Sequence, residues 1–286
     1  MLTSMSVVVI LQLIRSAGVS FTGGLVRGQK FFGAKIIPNR GAWLEFDTES
    51  DGFLGVRIDR KRKVPVTQFL RIFGLETNEA ILETFRKFDT GKIKYLEATL
   101  KKDEAKTVGE SYLGIYKRLR PGDLATTENA RSLIESMFKQ ENRYDLSPVG
   151  RFKFNQRLQL DNGKRSGLLD LNDVLAVVKE VIRLNNDPEA EPDDIDHLGN
   201  RRIRAVGELM ANRLQIGLAR LRRVVQDRMS TLERRTLQPV QLVNYKVLTS
   251  LVASFFTSSQ LSQFMDQVNP LAELEHKRRL SVMGPG

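Results

Sequence analysis

The chain has 286 residues, 41% of them hydrophobic and 28% charged, which is room for two modest domains and excludes a wholly disordered chain. With no cysteine and only two histidines, disulfide frameworks, thiolate metal sites, cysteine nucleophiles and histidine-rich metal clusters are excluded. Lysine and arginine number 45 against 34 acidic residues, and the net charge of +11 favours a polyanionic partner, nucleic acid being the simplest.

Residues 1 to about 70 read as β-rich. Strands are predicted over Val7–Ile14, Lys30–Ile37, Trp43–Phe46 and Phe53–Ile58. Turn signals at Gly23-Gly24, Pro38-Asn39-Arg40-Gly41 and Asp51-Gly52 separate them. The apolar run Val7–Leu11 is far too short to span a bilayer, and no basic segment precedes it as in a secretory signal. A cytoplasmic protein with no membrane partner is expected.

Beyond Val66 the period becomes helical. Val66, Phe69, Leu70 and Phe73 recur at steps of three and four before Gly74, a helix terminator. Thr77 opens another helix carrying Ala80, Ile81 and Phe85 on one face. Residues 89–108 are polar and read as a connector. Further helices are predicted over Ser111–Leu119, Thr127–Phe138 and Leu171–Leu184, with Thr126 or Thr127 and Asn172 as N-caps. The acidic stretch Asn185–Asp194, with Pro188 and Pro192, reads as a linker. A long helix is expected from Ile203 to about Thr231, and another over Val240–Phe256 after a break at Gln238-Pro239.

Few residues suggest chemistry by themselves. Gly23-Gly24 and Gly28 lack the Gly-Lys-Ser/Thr ending of a phosphate loop, so a loop between strands is the simpler reading. Asp193, Asp194 and Asp196 have the oxygen ligands a magnesium ion takes, but an acidic helix start or solvated linker is the favoured reading. His197 suits a capped, partly buried turn, and His276 stands beside Lys277, Arg278 and Arg279; neither has a catalytic neighbour in sequence. The basic clusters say more. Residues 57–63 carry five positive charges against one negative, and residues 201–235 hold ten arginines against three acids. Arginine's planar fork suits phosphate or carboxylate, so Arg201, Arg202, Arg204, Arg220, Arg222 and Arg223 are candidate nucleic-acid contacts. A solvated helix face or an interface with acids of another chain fits the composition as well.

Three blocks of the last third carry a resemblance. They are Asp193-Asp194-Ile195-Asp196-His197-Leu198-Gly199-Asn200-Arg201-Arg202-Ile203-Arg204, then Ser258-Ser259-Gln260-Leu261-Ser262-Gln263-Phe264-Met265-Asp266, then His276-Lys277-Arg278-Arg279-Leu280-Ser281 with Gly284-Pro285-Gly286. In order and spacing they resemble the beta subunit of bacterial RNA polymerase. Weaker likeness runs through Arg15–Val19, Ile36–Phe46, Val56–Arg60, Leu119–Asp123 and Arg143–Arg151, while residues 1–6 match poorly. The family usually has Pro at Ala17, Gly or Ser at Thr257 and Asn at Val268.

The resemblance implies an α+β, multi-domain fragment of a larger subunit, with a β-rich N-terminal part, a helical lobe and a long arginine-rich helix. It divides into the end of a protrusion (1–20), a lobe (21–185), the protrusion's return (186–238) and the start of a fork (239–286). It implies nucleotidyl transfer by DNA-directed RNA polymerase, with magnesium held by aspartates of the beta-prime subunit. Beta guides DNA and nascent RNA, so this chain would bind no cofactor and be inactive alone. Implied partners are DNA, RNA, the beta-prime, alpha and omega subunits, a sigma factor and rifamycin-type inhibitors. By motif position Gln260, Gln263, Phe264, Asp266, His276, Arg279 and Ser281 fall on the rifamycin pocket and RNA path. A stand-alone basic nucleic-acid-binding module, or a truncated protein that docks on polymerase, remains open at this point.

Overall fold

The computed structural model describes residues 6–26, 28–161, 166–231 and 238–284. Strands and helices are mixed throughout, as expected for an α+β chain. Contacts gather them into two units, Ser16–Ile195 and a second that joins Met1–Arg15 to Asp196–Gly286. Among the described residues no helix is long and apolar enough to cross a membrane.

The single strand predicted over Val7–Ile14 is two, β1 (Val7–Val9) and β2 (Leu11–Arg15). They part at Ile10, which is buried and whose N–H donates to the Leu261 carbonyl at 2.8 Å. The chain changes partner there, and the two halves enter different sheets.

In the unit Ser16–Ile195, five strands form an antiparallel meander in chain order: β3 (Gly18–Val26), β4 (Gln29–Ile37), β5 (Leu44–Thr48), β6 (Leu54–Ile58) and β7 (Val64–Pro65). Gly23-Gly24 is no turn; it lies inside β3 opposite Phe32 and Phe31. A Cβ at Gly23 would stand in ordinary contact with the Phe32 ring at 3.4 Å and Pro192 at 3.6 Å. Asp51-Gly52 does turn the chain between β5 and β6, with Gly52 at φ 84.

Among the described residues seven helices follow in this unit. α1 (Val66–Phe73) stops at Gly74, whose φ of 133 a side chain would resist. α2 (Asn78–Phe85) begins at Thr77, whose hydroxyl accepts the Ala80 N–H at 3.2 Å. The polar stretch 89–108 contains an unpredicted helix, α3 (Tyr95–Lys102). Its start is capped from outside by the Asp89 carboxylate, which accepts the N–H groups of Tyr95 and Leu96. α4 (Val108–Leu119) starts earlier than periodicity suggested, because Thr107 and Glu110 form a capping box. α5 (Thr127–Phe138) is capped by Thr126; α6 (Ser147–Leu158) was not predicted; α7 (Leu171–Asn186) is capped by Asp170, not Asn172.

One core joins sheet and helices, with Phe46, Phe69 and Phe138 stacked edge to face at 6.2 and 5.7 Å. Among the described residues two ion pairs lie within it. Arg71 of α1 reaches Asp103 at 2.7 Å and Arg151 of α6 reaches Asp173 at 2.9 Å. Such pairs add little net stability, but losing one partner costs about 3–5 kcal/mol. The predicted linker is a strap: Asn185 bonds both backbone groups of Phe32, and Asp193 bonds both of Phe21.

In the second unit β2 is the middle strand, antiparallel to β8 (Arg201–Arg204) and parallel to β10 (Leu280–Ser281). The long helix starts after β8, as α8 (Val206–Thr231), so Ile203 is in a strand. The helix predicted over Val240–Phe256 is divided into α9 (Pro239–Leu242) and α10 (Lys246–Ser258). α8 and α10 touch at Gly217, where a side chain would come within 2.9 Å of Leu248. β9 (Ser262–Phe264), antiparallel to β1, and α11 (Pro270–Arg278) complete the unit. Its core is small: Leu209, Phe255 and Leu261, with Val9 and Met210 against them.

Candidate ligand and nucleic-acid surface

The segment from Gln260 to Ser281 is held together through His276, whose ring is buried with 4% exposure. Its Nδ1 accepts the Asp266 N–H at 3.1 Å, so the ring hydrogen lies on Nε2. Nε2 faces Gln263 Oε1 at 3.3 Å, and the Gln263 amide nitrogen donates to the Gln260 carbonyl at 3.0 Å. Four of the seven pocket candidates thus form one run of hydrogen bonds with a single direction. The Asp266 carboxylate is exposed, 3.7 Å from Nδ1.

Ser281 is buried, and its hydroxyl donates to the Gly284 carbonyl and accepts the Gly284 N–H at 2.9 Å. Gly284 packs so closely on Gln260 that a side chain there would meet its Cβ at 3.0 Å, which links Ser281 to the same corner. Phe264 and Arg279 are exposed, and Arg279 meets this corner through its N–H, which donates to the His276 carbonyl at 3.4 Å. Sequence reasoning missed Gln12, whose amide nitrogen donates to the Val282 carbonyl at 3.0 Å. Nothing in local spacing signals a contact between opposite ends of a chain. Pro285 and Gly286 of the third motif lie outside the described residues.

The candidate arginines separate into two groups. Arg202 grips Glu208 with both terminal nitrogens, at 2.7 and 2.6 Å, and Arg204 Nε lies 3.4 Å from the same carboxylate. Hydrogen bonds from Arg202 hold the Glu208 carboxyl below its ordinary range and push Arg202 up. Arg201 sits beside them in β8, half-buried. Arg220, Arg222 and Arg223 of α8 are exposed, with no carboxylate in ion-pair reach among the described residues. Arg234 and Arg235 of the same basic stretch lie outside the described residues.

The aspartates do not act as one site. Asp193 accepts the Phe21 N–H at 2.8 Å and Arg157 Nε at 3.0 Å on each oxygen, so it is an internal clamp. Asp194 and Asp196 are exposed. Among the described residues no three acidic, histidine or cysteine side chains gather closely enough to hold a metal ion. His197 caps the short turn Leu198–Asn200, its Nδ1 accepting the Gly199 N–H at 3.0 Å, but it is exposed where partial burial was expected.

Residues 15–204 match the family model described as RNA polymerase Rpb2, domain 2. The chain is 47% identical over 280 residues to a DNA-directed RNA polymerase subunit beta of Syntrophomonas wolfei, covering 98% of this chain and 25% of that protein. It is 46% identical to the corresponding protein of Gloeobacter violaceus and 45% identical to that of Chloroflexus aggregans, with the same coverage. It therefore spans about a quarter of the length of these relatives. A family match through most of the chain, joined to likeness beyond it at both ends, means that the chain belongs to the RNA polymerase Rpb2 family and corresponds to a portion of the bacterial beta subunit.

Proposed function

We propose that this chain serves transcription as part of a beta subunit, lining the path of DNA and nascent RNA. The catalytic centre, with its two magnesium ions, belongs in this reading to the beta-prime subunit. The observation that carries it is the likeness to beta subunits over 98% of this chain. Two-metal nucleotidyl transfer needs carboxylates grouped around the transferred phosphate, and Asp193 is engaged instead with Arg157 and Phe21. The role left to the chain is to hold phosphates and to shape a wall. Its partners are then DNA, RNA, the beta-prime, alpha and omega subunits and a sigma factor. The surface from Gln260 to Ser281 takes a rifamycin-type inhibitor, with Phe264 and Arg279 outermost and His276 fixing the polar groups behind them.

The experiment is an exchange. This chain replaces the matching quarter of a relative's beta subunit, and the subunits are reconstituted. Assembly with template-dependent RNA synthesis is expected, while this chain alone should give no primer extension with magnesium and nucleotides. An exchanged subunit that assembles and does not transcribe, or a product from the chain alone, would overturn the reading.

A further inference from the structure

The strap from Asn185 to Asp194 carries five acids and no base. It is fastened to the β3–β4 pair by two anchors of different chemistry. In that pair Phe21 stands opposite Ala34 and Gly23 opposite Phe32. The backbone groups of Phe21 point away from β4 and those of Phe32 away from β3, so the anchors lie on opposite sides of the pair. The first anchor is neutral. β5 pairs with β4 only from Ala34 to Ile36, and beyond it the Asn185 amide takes the place of a strand. Its Oδ1 accepts the Phe32 N–H at 2.9 Å, and its Nδ2 donates to the Phe32 carbonyl at 3.1 Å and to Thr48 Oγ1 at 3.1 Å.

The second anchor is ionic. The Asp193 N–H donates to the Phe21 carbonyl at 2.9 Å, and its carboxylate accepts the Phe21 N–H at 2.8 Å. The same carboxylate receives Arg157 Nε of α6, 3.0 Å from each oxygen. Arg157 Nη1 lies 3.2 Å from Glu180 of α7, and its guanidinium stands over the Phe21 ring, 4.5 Å from the centre. Arg183 continues the chain of charges, 2.8 Å from Glu180 and 3.6 Å from Asp187. Burial would raise the Glu180 carboxyl, but Arg183 and Arg157 outweigh it and hold the group below its ordinary range. Between the anchors Lys30 Nζ of β4 donates to the Ala190 carbonyl.

What the ionic anchor covers is the outer edge of the sheet, because β3 is its first strand. An edge strand offers unpaired N–H and C=O groups to any passing strand. Asp193 takes those of Phe21, and Pro192, which has no N–H to give, lies beside Gly23. We propose that the strap is an ionic latch, which opens at its Asp193 end and uncovers the edge of β3 while Asn185 stays bonded to Phe32. Arg157, Asp193 and Glu180 are all partly exposed, so salt reaches their pairs. The Asn185 amide bonds carry no net charge and are indifferent to it. Without Arg157, Asp193 and Glu180 lose the cation they share, and an acidic strap has less to hold it down. Open, the latch lets the chain leave the compact unit at Asn185 rather than at Asp193.

The test is site-resolved amide hydrogen exchange on the 286-residue chain, which reads local opening at each end of the strap. Two variants remove charge from the latch. Arg157→Gln takes away the shared cation, and Asp193→Asn keeps an oxygen for the Phe21 N–H while losing the ion pair. Both should speed exchange at the Phe21 and Asp193 N–H groups about five- to twentyfold, since Arg157 makes two partly exposed pairs. The Phe32 N–H, held by Asn185, should exchange as before. Raising salt from about 0.05 to about 1 M should speed the same two groups in the unsubstituted chain and leave both variants nearly unaffected. Asn185→Ala should do the reverse, releasing Phe32 with no change at Phe21. Unchanged exchange at Phe21 in both charge variants would overturn the latch. So would equal acceleration at Phe32, which would mean that the strap leaves the sheet as one piece, or an unsubstituted chain whose Phe21 exchange ignores salt. The beta-subunit reading does not depend on any of these outcomes.

Discussion

At Ser281 the hydroxyl is already bonded twice to Gly284, and the side chain is buried. Ser281→Leu therefore removes both bonds and pushes bulk toward Gly284 and Gln260. His276→Tyr leaves the Asp266 N–H without its acceptor and Gln263 without its donor; both are only partly buried, so each costs less than the about 1–3 kcal/mol of a fully buried group. Asp266→Val differs, because the carboxylate is exposed while the backbone N–H that meets His276 remains. In full-length beta within the assembled enzyme, each change is expected to weaken rifamycin inhibition roughly 5- to 150-fold. Melting curves of the chain should separate them, with loss of stability for the first two and a change within about 0.5 kcal/mol for Asp266→Val. Inhibition curves identical to the unsubstituted enzyme for all three would remove the pocket. The motif made these residues legible in sequence, but not their arrangement. That His276 is the hub, and that Ser281 acts through Gly284, follows from hydrogen bonds between positions whose spacing obeys no helical or strand period.

Among the elements, α8 shows how charge and function part company. Arg220, Arg222 and Arg223 stand exposed on it, whereas Arg202 and Arg204 in β8 are tied to Glu208. Replacing the three helix arginines with glutamine is expected to lower the salt slope on duplex DNA by up to about 2.7 without altering base preference. An unchanged slope would assign them to a protein interface. Arg202→Gln should act on stability instead. Glu208 has a lowered folded pKa, so its contribution is complete above the ordinary glutamate range and is lost as pH falls through the lowered value. Removing Arg202 should flatten that acid-side loss. Elements with a strong stripe or a clear stop, such as α1 before Gly74, α2 and α5, were legible in sequence. α3 was not, because its cap comes from Asp89, several residues before the helix begins. β3 was hidden by Gly23-Gly24, and β8, β9 and β10 are too short to show a period and exist only through distant partners.

Over the whole molecule, apolar burial is uneven. The unit Ser16–Ile195 holds the large core, with Phe21, Phe46, Phe69, Phe85, Phe138 and Phe154 almost fully buried. Burying such side chains contributes about 1.5–3 kcal/mol each, before the cost of ordering the chain. Among the described residues the unit of Met1–Arg15 and Asp196–Gly286 buries few apolar side chains, Val8, Ile10, Leu209, Phe255 and Leu261 chief among them, while Leu198, Phe264, Val268, Leu271 and Met283 are more than half exposed. A unit so built opens at lower free energy than its neighbour, and proteolysis follows the open population when closing is fast. Both junctions of the compact unit carry tryptic sites, Arg15 on one side and Arg201, Arg202 and Arg204 on the other. Limited trypsin treatment of the chain is expected to cut first within 196–286 and to accumulate a resistant piece beginning at Ser16 and ending between Arg201 and Arg204. Mass spectrometry of the digest reads the outcome. First cuts inside Ser16–Ile195, or equal survival of both units, would show that stability does not follow the division of the core. On the beta-subunit reading proposed above, the same profile in the assembled polymerase should lose the early cuts, because a partner that covered the exposed apolar side chains would raise the free energy of opening by mass action.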